Sequence, residues 1–226
     1  MSNEIVNYEE RLAAMAAATA EAVPPAPSSL RTMRTSGGIL AFGGDPMPGN
    51  HICAIVLDSV LEHTYYEAAW DSAALDVPRC YAFGRSYPDM EPSELMNDYP
   101  DVFGAQHDNC KGCPKHQWGS SSKGKGKACQ ERRRLYIIPG GQYTQASNGG
   151  WDLEFFDDAA TLSDFAPMLL KTPVRSSKNW DMYTRKIAKE FSRPPLGVYT
   201  RIWCEPSPKG GHEIKFEALK LVDQDM

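Results

Sequence analysis

Residues 110–129 read Cys110-Lys111-Gly112-Cys113-Pro114-Lys115-His116-Gln117-Trp118-Gly119-Ser120-Ser121-Ser122-Lys123-Gly124-Lys125-Gly126-Lys127-Ala128-Cys129, and the chain then enters Gln130-Glu131-Arg132-Arg133-Arg134. Three cysteines, one tryptophan and a row of lysines share a glycine-rich segment with no apolar face. Such a segment cannot fold by removing apolar surface from water. Metal–thiolate bonds supply folding free energy where a core cannot. The stretch therefore reads as a metal-held loop, and the apolar runs on either side of it must supply the fold.

On the N-terminal side, residues 52–61 (Ile-Cys-Ala-Ile-Val-Leu-Asp-Ser-Val-Leu) form the strongest strand signal, rich in branched residues and bounded by breakers. Residues 38–43 and 78–84 are shorter strand candidates. Glu91 to Tyr99 suggests one short helix. On the C-terminal side, residues 134–138 (Arg-Leu-Tyr-Ile-Ile) read as a buried strand stopped by Pro139-Gly140-Gly141, and residues 150–156 alternate as a strand. Residues 158–170 fit neither period. Ser177 to Ser192 predicts a helix with Trp180, Tyr183, Ile187 and Phe191 on one face, capped by Ser177 or Asn179 and stopped by Pro194-Pro195. Residues 197–204 and 212–222 flank a Pro/Gly turn as a hairpin, with Ile214, Phe216 and Ala218 facing inward between Glu213, Lys215 and Glu217. Six or seven strands with one late helix predict a mainly β protein, an OB-like antiparallel barrel carrying the loop at about 105–130 as an insertion. The domain would cover 30–226. Residues 1–29 would be an Ala/Glu-rich helix (5–23) and a Pro-rich linker.

The chain has 226 residues, a formal net charge of −5 and six cysteines. No apolar run approaches the roughly 18 residues of a membrane span, and no basic start precedes an apolar core. The expectation is a cytoplasmic protein with no membrane partner. In a reducing compartment a Cys-x-x-Cys cluster points to metal more than to disulfides.

Zinc in a structural site takes four ligands in a tetrahedron. Cys110, Cys113 and Cys129 supply three. Cys80, at the head of a separate strand, is the favoured fourth, because an all-thiolate site would tie the loop to the barrel. His107 is the runner-up. His116, three residues past Cys113, would strain the knuckle. Cys53 and Cys204 sit in apolar strands and read as core residues.

Between Lys111 and Arg134 stand eight cations against Glu131 alone, a local positive field in an acidic protein. Single strands are bound by cations that track phosphates and aromatics that stack on bases. Lys111, Lys115, Lys123, Lys125, Lys127, Arg132 and Arg134 are the candidate phosphate contacts, with Arg132 and Arg134 sharing a strand face. Trp118, Tyr65 and Tyr66 are the candidate stacking residues, with Phe83 and Trp151 also at strand ends. Core packing is the better reading of any one of these aromatics taken singly. The combination with clustered cations on a metal-held, glycine-rich backbone favours the surface reading.

The pattern Cys-x-x-Cys-Pro-x-x-x-Trp-Gly-Ser, then Gly-Lys-Gly-Lys-Ala-Cys and Arg-Arg-Leu, resembles a group of phage and mobile-element proteins regarded as single-stranded DNA-binding or replication accessory proteins. Cys80 after Pro78, Trp180-x-x-Tyr183 and the Thr200 strand after Pro194-Pro195 fit the same pattern, over about residues 50–220. Ala82-Phe83 departs from it, where a Ser-x-Asp-Gly-like turn belongs. The resemblance implies an OB-type fold, a zinc-stapled insertion, no enzymatic activity, and a role in DNA replication or recombination alongside replication proteins. The alternative is a zinc-ribbon adaptor for transcription or replication proteins. A nuclease is the third reading, resting on Asp152, Glu154, Asp157 and Asp158, an acidic group that solvation explains equally well. The Gly-x4-Gly-Lys spacing at Gly119–Lys125 is followed by Gly126, which has no hydroxyl for Mg²⁺, so it does not read as a nucleotide loop.

Overall fold

A computed structural model describes residues 31–67, 77–122, 124–208 and 210–223. The expected N-terminal helix and linker lie outside the described residues. The fold is organised on two long strands, β4 (His51–Tyr65) and β6 (Cys129–Gln145). They pair antiparallel from Cys53↔Gly141 to Tyr65↔Cys129. Each has a second edge shared by two partners. On β4, residues 51–55 pair with β9 (Val198–Pro206) and residues 61–65 with β5 (Cys80–Gly84). On β6, residues 134–137 pair with β8 (Met168–Lys171) and residues 141–145 with β7 (Trp151–Phe155). β10 (His212–Leu221) forms the expected hairpin with β9. Beyond β8 come β1 (Arg31–Arg34), β2 (Ala41–Phe42) and β3 (Asp45–Pro46). β1 runs parallel to β8, which makes the ten-stranded sheet mixed.

The protein is mainly β, as expected, but the sheet is not closed: its path runs from β10 at one end to β3 at the other. β6 also continues through Pro139-Gly140-Gly141, which the sequence reads as a stop. The register slips between Cys53 and Ala54 opposite this tripeptide. A bulge is where a strand tolerates a residue without an N–H. A Cβ on Gly141 would sit 2.5 Å from the Glu154 carbonyl oxygen, so the close approach of β7 requires glycine there.

One face of the sheet is covered by α2 (Ser177–Phe191). The apolar residues recur at helical spacing, and Trp180, Tyr183 and Ile187 are buried against Ala54, Val56, Leu135, Ile137 and Ile214. Full burial of such side chains stabilises by roughly 1.5–3 kcal/mol each. Phe191, on the last residue of the helix, is exposed, because the helix turns off at Ser192 (φ 53°) beyond the sheet. Neither expected cap forms. A 3-10 turn, Val174–Ser176, leads into the helix, and Asn179 instead donates to Glu213 Oε2 (2.8 Å) and the Ile214 carbonyl (2.9 Å). The ambiguous segment resolves into α1 (Ala159–Ser163), capped by Asp158 Oδ1 accepting from Thr161 N–H (2.7 Å), and β8. Together with β7, α1 covers the other sheet face, where Cys53, Ile55, Ile138 and Tyr199 pack against Leu153, Phe155, Leu162 and Phe165. Among the described residues no helix is long and apolar enough to cross a membrane.

Candidate metal centre and the adjoining basic groove

Strand register builds the site. Tyr65 pairs with Cys80 on one side and Cys129 on the other; two residues earlier, His63 pairs with Ala82 and Glu131. Directly opposed residues share a face, and so do residues two apart along a strand. Cys80, Cys129, His63 and Glu131 therefore project from the same side of the sheet, the side that α2 covers further along. The segment after β5 folds back over them. Cys110 N–H donates to the Met90 carbonyl (2.9 Å), and His116 N–H donates to the Cys113 carbonyl (3.0 Å). Gly112 has no room for a side chain, since a Cβ would meet His107 at 2.9 Å, and its N–H donates to Asn109 Oδ1 (2.7 Å). A 3-10 turn, Pro114–His116, follows Cys113. It turns the His116 ring inward, where it stacks on His63 with centroids 4.3 Å apart.

Cys80, Cys110, Cys113 and Cys129 all line one cavity under this knuckle, together with His63, His107 and His116. The three loop cysteines are buried, and Cys80 is half-buried. Burial, reinforced by the neighbouring thiols, pushes Cys110 up to about 11 and Cys129 up to about 12. Among the described residues no three of the four sulfurs form a close ligand cluster, and binding a cation to such buried thiols must displace their protons. Within the cavity, His63, His116 and Cys129 offer ligand atoms that all lie within 4.8 Å of one another, and this buried cluster can hold a metal ion.

Two features fit that chemistry. The Nε2 atoms of His63 and His116 lie 3.4 Å and 3.5 Å from Glu131 Oε2, His116 Nε2 also accepts from Lys127 Nζ (2.8 Å), and both Nδ1 atoms and His63 Nε2 are buried without a hydrogen-bond partner. Buried imidazole nitrogens left without a partner beside a buried thiol suit metal ligation, and a carboxylate beside them is a usual neighbour of such a site. The proximity of His116 and then His63 holds the Glu131 carboxyl far below the usual carboxylate range.

His63 carries no motif in the sequence. It is one residue of a strand end, and only its pairing with Glu131 exposes its role. His116 is set aside on spacing, but the 3-10 turn after Cys113 relieves the expected strain and brings it in. His107 lines the cavity, and its Nδ1 lies against the Asn109 backbone, 3.1 Å from the carbonyl oxygen and 3.2 Å from the nitrogen, which braces the knuckle. Cys53 and Cys204 are buried in the core, as expected.

The expected nucleic-acid residues divide. Trp118 is 79% exposed, with Lys127 Nζ 5.7 Å from its ring centroid. Lys111 and Lys125 are exposed, and Lys123 lies outside the described residues. Tyr66 is half-buried. Tyr65 is buried, with Lys115 Nζ 4.9 Å over its ring, so no open ring face remains for a base. Arg132 and Arg134 do share a face, as alternation requires, but both are engaged. Arg132 donates to Gln130 Oε1 (2.8 Å). Arg134 forms a bidentate pair with Glu62 (2.7 and 2.9 Å) and lies over Phe83. Arg134 ties β6 to β4, and Arg132 is held along its own strand. Trp151 is exposed, beside His51. Of the acidic group, Asp157 pairs with Lys220 and Asp158 caps α1.

A groove of about 920 Å³ opens beside the knuckle, between Trp118 and Lys127, the start of α2, and the β9–β10 turn. Arg175 and Lys178 line it and are exposed. Its two acids are already paired: Glu131 with the histidines, and Glu213 with Asn179 and Lys215 (3.4 Å). Cys129 lines both this groove and the cavity beneath the knuckle. Comparisons with protein-family models, with characterised proteins and with solved structures find no match to this chain.

Proposed function

We propose that this protein binds single-stranded nucleic acid, DNA in the first instance, in the groove beside the knuckle, and that a zinc ion under the knuckle holds the binding surface in shape. The observation that carries the reading is Trp118, a large aromatic left in solvent next to Lys127 and across a groove from Arg175 and Lys178. A side chain of that size on a polar loop contributes nothing to the core. A base stacked on it would gain roughly 1–3 kcal/mol, and the cations would track the flanking phosphates. The first turn of α2 carries no acid, so the helix dipole adds to the positive field. The sheet then serves as a platform in the manner of OB-like proteins, with the knuckle as its basic finger. The role is non-catalytic, in the replication or recombination setting that the cysteine pattern implies.

The zinc ligands on this reading are Cys80, Cys110, Cys113 and Cys129, with Glu131, His63 and His116 packed beside them. The competing set is His63, His116 and Cys129, favoured by the 4.8 Å clustering of their ligand atoms. Metal content separates the two. Cys80→Ser lowers it if the four thiolates bind, and His63→Ala lowers it if the mixed set does.

The binding test is a titration of fluorescent single-stranded and duplex DNA at low and moderate salt. Single strands should bind tighter, with affinity falling steeply as salt rises. Trp118→Ala should weaken binding about tenfold with no loss of stability. Equal affinity for the two DNA forms would favour the adaptor reading, and an unchanged affinity in Trp118→Ala would refute the groove.

A further inference from the structure

Residues 86–110 carry six acids, Asp89, Glu91, Glu94, Asp98, Asp101 and Asp108, and no lysine or arginine. All are exposed, and among the described residues none is in an ion pair. The segment runs along the edge of β5 that faces away from β4. Ser93 N–H donates to the Tyr81 carbonyl (3.0 Å), and Gly104 N–H donates to the Arg79 carbonyl (2.7 Å). Met96 is buried, and its sulfur accepts from the Tyr81 N–H (3.4 Å). What stays outside is apolar as well as acidic. Leu95 is 66% exposed and Tyr99 63%. Ring contacts run from Phe83 to Tyr81 (5.7 Å), on to Phe103 (5.4 Å) and on to Tyr99 (6.5 Å). The Arg134 guanidinium already lies 4.4 Å from the Phe83 centroid, so this ring surface takes a cation on its face. Contiguous rings left in solvent mark an interaction surface, and carboxylates around them select a cationic partner.

The matching surface is on the same chain. Trp118 stands in solvent beside Lys125, whose carbonyl accepts from the Gly119 N–H (3.2 Å), and Lys178 lies across the groove. Lys125 and Lys178 are exposed and, among the described residues, in no ion pair. Each surface thus has uncovered aromatic area and uncancelled charge, of opposite sign, and the two make no ion pair with each other within one chain. We propose that they meet between chains: in the absence of nucleic acid, the acidic ring surface of one copy takes the Trp118 loop and the groove cations of a second copy. Trp118 is the anchor, because a large aromatic packed on other rings and screened from water carries much of the energy of such a contact. The charges decide which surfaces pair and speed the encounter. The second copy then covers the groove, so a single strand must displace it. That competition alone rests on the nucleic-acid reading of the groove, and the pairing itself does not.

Sedimentation velocity on this chain, with no nucleic acid present, reads the pairing separately from DNA binding. Copies should associate at low salt, and the association should weaken about tenfold between about 0.05 and about 0.5 M NaCl. The triple change Glu94→Lys, Asp98→Lys, Asp101→Lys turns the acidic surface positive, and the double change Lys125→Glu, Lys178→Glu turns the groove negative. Each variant alone should associate at least about tenfold more weakly. An equimolar mixture of the two should regain the wild-type affinity, because a mixed pair again sets opposite charges against each other. Tyr99→Ala, which leaves the charge alone, should weaken the association about fivefold. All the replaced side chains are exposed, and the wild-type salt series with Tyr99→Ala decides the matter if a charge variant folds poorly. A wild-type chain that stays monomeric up to about 100 μM at low salt would overturn the proposal. So would charge variants that associate as the wild type does, or a mixture no stronger than its two components.

Discussion

The two ends of the β4–β6 ladder share a backbone but are held together differently. At one end, Ala54, Val56, Leu135 and Ile137 lie under Trp180, Tyr183 and Ile187, and apolar burial does the holding. At the other, the same two strands present His63, Tyr65, Cys129 and Glu131 to a knuckle that brings Cys110, Cys113 and His116. Little apolar surface is available there. Leu61, Ala82 and Met90 form a small cluster with Cys110, and the remaining contacts are sulfur, imidazole and carboxylate. One ladder thus supports a core held by apolar burial and a knuckle gathered on a cluster that can hold a metal ion. The two halves should therefore fail separately.

The largest effect should come from Cys129→Ala, the residue common to both ligand sets and to the groove. Amide protection across residues 105–128 should fall by at least about a hundredfold, because metal bonds supply most of the stability of such a loop. Protection in α2 should stay as it was. Hydrogen exchange by mass spectrometry reads both regions in one experiment, and a loss spread evenly over the chain would erase the contrast.

Ile187→Ala should do the reverse. It opens a cavity in the α2 face and should cost about 3 kcal/mol of global stability in a urea titration, with metal content unchanged.

Arg134→Ala should cost less, about 2 kcal/mol at neutral pH, by leaving buried Glu62 with only Lys171, 3.9 Å away, as its cation. It also has a pH signature. Burial alone would raise the Glu62 carboxyl, but the Arg134 hydrogen bonds and charge, aided by Lys171, bring it below its usual value. A lowered folded-state value means stability that is fully present above the unfolded carboxylate pKa of about 4.3, and is lost as pH falls through the folded value. The gap between wild type and Arg134→Ala should therefore shrink on acidification below that point. A gap that is constant from pH 7 to pH 3 would mean that Glu62 is not held by Arg134.

The parts of this molecule that local pattern encodes were legible in the sequence. The branched run at 52–61, the alternation at 212–222 and the 3.6-residue spacing of Trp180, Tyr183 and Ile187 became β4, β10 and α2. So did the knuckle, since Cys-x-x-Cys with a glycine between fixes its own turn. Long-range register was not legible. Tyr65 reads as a surface aromatic until its neighbours prove to be Cys80 and Cys129, which bring the knuckle down over it. Arg132 and Arg134 read as free cations until Glu62 and Gln130 arrive from across and along the ladder. Pro139 reads as a stop because nothing local announces the bulge that admits it. The groove is assembled from residues as far apart as Trp118, Lys178 and Glu213, so no window of sequence contains it.

Native mass spectrometry of this chain, purified without chelator, reads the metal and the bound strand together. One zinc per chain is expected, lost in Cys129→Ala together with single-strand binding and kept in Trp118→Ala. A metal-free chain that still binds single strands with full affinity would contradict it.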